Sequence, residues 1–217
     1  MADVAEKLKP HLTTEGLFRV PGSAVRMRAM EAAANRGESI EGAPSDLAGT
    51  LKAFLRELPD PLMTQRLYPA FVQAWQVSEP EQRVKAILLL CVQLPPAHLH
   101  TLIFLMGLLS DVVKSSGNLM SANNLSAVFT PNILRPNDED RKTRTRASTT
   151  TEVELRNHSA CVGVIELLIL HHSEIGVITS DITGPAESLD PVKAQRDFER
   201  ATVESRKWWY VGLTVPA

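Results

Sequence analysis

An all-helical bundle of about eight helices is the fold this sequence predicts, and three observations predict it. Apolar residues recur at three- and four-residue spacing through most of the chain, as the buried stripe of a helix requires. Aromatics make up only 5% of the 217 residues while Leu, Ala and Met abound, a bias toward helix over sheet. No segment shows the period-two alternation of a half-buried strand, and no internal repeat points to a solenoid.

Each element follows from local chemistry. Ala5, Leu8 and Leu12 share one face of a short opening helix. Gly16 and Pro21-Gly22 then mark a loop. Ser23 is placed to cap a second helix carrying Val25, Met27, Met30 and Ala33, which stops at Asn35-Arg36-Gly37. Ser45 or Asp46 begins a third, with Leu47, Leu51, Phe54, Leu55 and Leu58 at helical spacing, and Pro59 and Pro61 end it. A fourth helix is expected over 66–77. Glu79-Pro80-Glu81 opens a fifth, running over 84–94, which Pro95-Pro96 breaks. Residues 99–113 are apolar nearly all round and read as a central buried helix. Ser121 caps a helix through Phe129 that Pro131 closes. The polar stretch 137–151 reads as loop, and 152–172 as a further amphipathic helix. Beyond His172 the periodicity fades, so a domain over 1–172 and a tail over 173–217 are expected. The tail has room for a charged helix over 192–206 and ends near Trp208-Trp209-Tyr210.

Composition bounds the function. A net charge of -2 argues against a chain built to bind nucleic acid or a polybasic membrane anchor. Cys91 and Cys161 both lie in apolar runs and read as buried thiols rather than a disulfide framework. The N-terminus lacks the apolar core of a signal peptide, and the apolar run 102–109 is too short to span a bilayer. A cytosolic chain is predicted, with any membrane association indirect. His98, His100, His171 and His172 have no spacing that suggests a metal or a triad. The basic cluster Arg141, Lys142, Arg144 and Arg146 reads as a solvated loop, with phosphoregulation at Ser148 and Thr149 or a weak lipid contact as alternatives. There is no glycine-rich phosphate loop, so the chain is not expected to hold nucleotide.

Three segments, in order, carry a resemblance: Gly16-Leu17-Phe18-Arg19-Val20-Pro21-Gly22-Ser23, the run from Leu51 to Leu62 (LKAFLRELPDPL), and the run from Asn123 to Leu134 (NNLSAVFTPNIL). Together they resemble the Rho-GAP domain family over about residues 4–172. They are similar to its arginine-finger loop, the helix that follows it, and its Asn-bearing helix with a Pro-Asn loop. The family usually carries more sequence ahead of the first helix. Pro21, and Thr130 where the family more often has Gly, depart from its pattern, and Pro21 is expected to stiffen the finger loop.

The resemblance implies a GTPase-activating protein for Rho-family small GTPases of the Rho, Rac or Cdc42 type. Arg19 would be the catalytic arginine supplied in trans. The chain would have no cofactor of its own, since the partner GTPase holds GTP and Mg2+. An arginine suits the task because its guanidinium is planar, always charged and forked, and in such reactions it is worth about 10³–10⁵ in rate. On its residues alone, Arg19 reads more often as a solvated or helix-capping arginine. Leu17, Phe18 and Val20 are expected to pin the loop root. Lys52 and Arg56 fall on one helical face. The resemblance makes them supports for the finger and contacts for the GTPase, with Arg56 the better candidate to hold loop carbonyls. Asn124, a poor helix former among apolar residues, is implied as a GTPase contact, with capping as the alternative. Pro131 and Asn132 are implied as residues shaping the neighbouring loop. A non-catalytic helical binding module and a plain structural domain remain the competing readings.

Overall fold

The computed structural model describes residues 2–136 and 150–177. Among the described residues the chain forms α1 (Ala2–Leu8), α2 (Ala24–Asn35), α3 (Pro44–Arg56), α4 (Tyr68–Trp75), α5 (Pro80–Val92), α6 (Pro96–Lys114), α7 (Ala122–Ile133) and α8 (Thr150–Leu170), with short 3-10 turns at Lys9–His11 and His172–Glu174 and no strand. Proline sets several starts: Pro44, Pro80 and Pro96 each open a helix, where a fixed φ helps and the missing N–H is not needed. Ser121 caps α7 by accepting the Asn124 N–H at 3.1 Å.

The core is continuous. α8 buries Cys161, Val164, Ile165 and Leu168 on one stripe and packs against α4, α5, α6 and α7. Each such aliphatic side chain contributes about 1.5–3 kcal/mol when fully buried. α6 buries Leu102, Leu105, Met106 and Leu109 completely. With 19 residues and a mean hydropathy of 1.4, α6 is also long and apolar enough to cross a membrane. Its packing on α7 and α8 accounts for that composition. Trp75 of α4 lies flat on α8 at Gly163, where a Cβ would come within 2.2 Å of the ring. The ring also receives the Arg83 guanidinium 4.8 Å from its centroid.

Four expectations change. Neither Ser45 nor Asp46 caps α3: Ala43 holds that position without a side-chain bond, and Pro44 is the first helical residue. Phe54 is 40% exposed rather than part of the buried stripe, which centres on Leu47, Leu51 and Leu55. α4 is shorter than 66–77, because Thr64 and Leu67 still belong to the preceding turn. Pro131 does not close α7. The helix runs on to Ile133, because one proline removes a single backbone bond, and the end is held by Leu134 N–H to Thr130 O at 3.0 Å; beside the proline Thr130 Oγ1 donates to Ser126 O at 2.7 Å and Asn132 Nδ2 to Val128 O at 2.8 Å. Beyond α8, Ile175 is still buried. The expected charged helix over 192–206, Trp208-Trp209-Tyr210 and the basic cluster 141–146 lie outside the described residues.

Candidate functional site

The loop 16–23 is built so that adjacent side chains point opposite ways. Gly16 takes a left-handed φ of 67° and anchors the loop by donating its N–H to Asn118 O at 2.8 Å. Its carbonyl then accepts the N–H groups of Arg19 and Val20 at 2.8 and 2.9 Å, closing a tight turn. Phe18 is also left-handed, at φ 70°. Its ring is fully buried and meets Phe129 of α7 edge-on, with centroids 5.1 Å apart. The next residue, Arg19, is therefore turned out to solvent. Its guanidinium makes no hydrogen bond or ion pair with another described residue, and Nη2 lies 3.5 Å from the point a Cβ on Gly16 would occupy.

α3 fixes the loop at two places. Lys52 Nζ donates to Phe18 O at 2.5 Å. Lys52 is half-buried, and its pKa is lowered by that burial and then by the nearby Arg56 charge. Asp46 is the second anchor. Its side chain is 0% exposed and accepts the Ser23 N–H at 2.7 Å. The Arg26 Nε and Nη2 donate to the same carboxylate at 2.6 and 3.2 Å. These bonds hold its pKa below the usual carboxylate value, the Arg26 hydrogen bond contributing most. Gly22 is needed here for space: a Cβ would lie 2.7 Å from both Asp46 Oδ1 and Ser45 O.

The turn before α7 supplies a third anchor. Asn118 is buried; its Nδ2 donates to Leu12 O, Val112 O and Ser115 O at 2.8, 2.6 and 3.0 Å, and its Oδ1 accepts the Met120 N–H at 2.8 Å. Asn124 lies in the first turn of α7 with its side chain exposed, while its neighbour Asn123 reaches Glu166 at 3.1 Å. Asn132 is buried with its amide turned into the helix, and Pro131 is exposed beside it. The end of α7 is tied to the 58–63 segment by Met63 N–H to Ile133 O at 3.0 Å and Arg135 Nη2 to Leu58 O at 2.9 Å.

Arg19 and Lys52 thus meet at one loop, Lys52 holding the carbonyl of the residue before Arg19, with Arg56 exposed one turn beyond Lys52 and Asn124 exposed in the first turn of α7. Two expectations are corrected. Lys52, not Arg56, holds the loop carbonyl; Arg56 makes no hydrogen bond to a described residue, because its place on α3 leaves it facing solvent. Val20 does not pin the root, being 49% exposed; Leu17 and Phe18 do that. Sequence reading missed Asp46 and Asn118 as anchors. The signal for Asn118 was the turn dipeptide Gly117-Asn118. Asp46 gave only a first-turn acid.

A profile described as "RhoGAP domain" matches residues 3–138, more than half of the chain, and the chain belongs to that family. It is similar to Rho GTPase-activating protein 11A of Homo sapiens, at 36% identity over 179 residues covering 81% of this chain, and to Rho GTPase-activating protein 44 of Rattus norvegicus, at 33% over 190 residues covering 84%. It spans only 17% and 22% of the length of those two proteins. Among solved structures, the BH domain of GRAF, the GTPase regulator associated with focal adhesion kinase, superposes with a TM-score of 0.66 at 27% identity, covering 80% of this chain and 91% of that one.

Proposed function

We propose that this chain accelerates GTP hydrolysis by a Rho-family small GTPase, with Arg19 entering the partner's active site. The observation that carries this reading is an exposed arginine, unengaged among the described residues, on a loop held at both ends and at its middle carbonyl: Gly16 by the turn before α7, and Phe18 O and Ser23 by α3. As GTP is hydrolysed, negative charge builds on the phosphate oxygens. A guanidinium delivered in place stabilises that charge where it develops. Lys52 acts as a positioning residue by holding Phe18 O; Arg56 and Asn124 supply exposed polar contacts to the GTPase. GTP and Mg2+ belong to the partner.

Single-turnover GTP hydrolysis by Rho, Rac and Cdc42 proteins, with this chain and with Arg19→Ala, tests the reading. The native sequence is expected to accelerate at least one of them, and the variant to lose about 10³-fold or more of that acceleration while still binding. Acceleration that survives Arg19→Ala would remove the finger role. No acceleration of any GTPase, from a folded protein that binds them, would leave a non-catalytic binding module.

A further inference from the structure

Seven described residues have a positive φ, and four of them, Gly16, Phe18, Gly117 and Leu119, lie in the two loops that the Gly16–Asn118 hydrogen bond joins. The glycines adopt this backbone readily. Phe18 is accounted for by its buried ring and by Lys52. Leu119 has no such account. Its φ is 58°, a region that favours Gly, Asn and Asp over leucine. Its side chain is 66% exposed and takes no part in the core. The turn itself is held by Asn118, whose amide makes four hydrogen bonds around it, and by buried Met120 on the other side. Neither backbone preference nor packing calls for leucine here. Backbone strain retained at one exposed residue points to work done there.

Its position says what work. Asn118 O receives the Gly16 N–H, so Leu119 follows directly on the residue that anchors the finger. Val20 lies over the same glycine, with Cγ2 2.8 Å from the place of a Cβ on Gly16, and is itself half exposed. Two exposed aliphatic side chains therefore stand beside the Arg19 loop. An aliphatic pair left exposed beside a partner-facing arginine gains about 25 cal/mol for each Å² of apolar surface that a partner buries.

We propose that Leu119, together with Val20, receives an apolar side chain of the GTP-loaded GTPase and so sets affinity for the partner without acting in the chemical step. This rests on the activity proposed above. The test uses Leu119→Asn and Leu119→Gly, both suited to the left-handed backbone, with Leu119→Met as the variant that keeps an apolar side chain. Thermal melting of the Asn and Gly variants is expected to stay level or rise. Titration of GTP-loaded GTPase is expected to show KM raised about fivefold or more, kcat within about twofold of native, and KM largely retained by Met. An unchanged KM in the Asn and Gly variants, with the native protein active, overturns the inference alone. So does a lowered melting temperature in both, which would return Leu119 to the fold. A native protein that accelerates no GTPase overturns the parent reading, and this one with it.

Discussion

Asp46 holds the exit of the 16–23 loop, and its charge is the reason. With its carboxylate buried against Arg26 and the Ser23 N–H, its folded-state pKa lies below the ordinary value of 3.8. The unfolded chain then binds the proton more readily. The contribution is present in full above the unfolded pKa and is lost as pH falls through the folded one. Urea unfolding followed below pH 4 is therefore expected to show a steeper loss of stability in the native protein than in Asp46→Asn; identical slopes would remove Asp46 from the acid response. Sequence reading saw an acid at a helix start and no more. The reason is distance along the chain: its partners lie 23 and 20 residues back, and no local period encodes them. Asn118 shares that cause only for Leu12 O, 106 residues away; its bonds to Val112 O, Ser115 O and the Met120 N–H are local to the turn. Arg19 and Lys52 were legible because they fall inside short contiguous motifs. Which of Lys52 and Arg56 reaches the loop was not, because both share the same helical face and only the loop's path decides between them.

Helices were easier to read than their joints. Proline starts, glycine stops and the three-and-four stripe place α3, α5, α6 and α8 within a few residues. Glycines inside helices carry opposite meanings that the sequence does not distinguish. Gly107 in α6 has open space around its missing Cβ, whereas Gly163 in α8 faces Trp75 at 2.2 Å. Gly107→Ala is expected to stabilise the protein by about 0.5–1 kcal/mol through helix propensity alone. Gly163→Ala is expected to destabilise it by about 1–3 kcal/mol, because the added methyl displaces a packed indole and the gain in propensity does not offset that. Urea midpoints measure both, and a stabilised Gly163→Ala would show that α4 and α8 separate without cost.

At the scale of the whole molecule, the two thiols report on the core. Burial pushes the Cys91 pKa up to about 12. It pushes that of Cys161 up to about 11, with a Tyr68 hydrogen bond acting in the other direction. The thiolate is the reactive form, so at pH 8 an aromatic disulfide reagent is expected to label neither cysteine faster than the protein unfolds, and both once urea is added. Rapid labelling of the native protein would mean that the α5 and α8 core opens locally. Composition anticipated the buried thiols, since both sit in apolar runs. Neither composition nor period anticipated how three distant segments converge on one loop. That convergence bears on the finger role proposed for Arg19. A free peptide of residues 16–23 would carry the same arginine but would sample many shapes, and each encounter would have to restrict it afresh. In the folded chain that freedom is already gone, so in the proposed role the docking of Arg19 loses little further loop entropy.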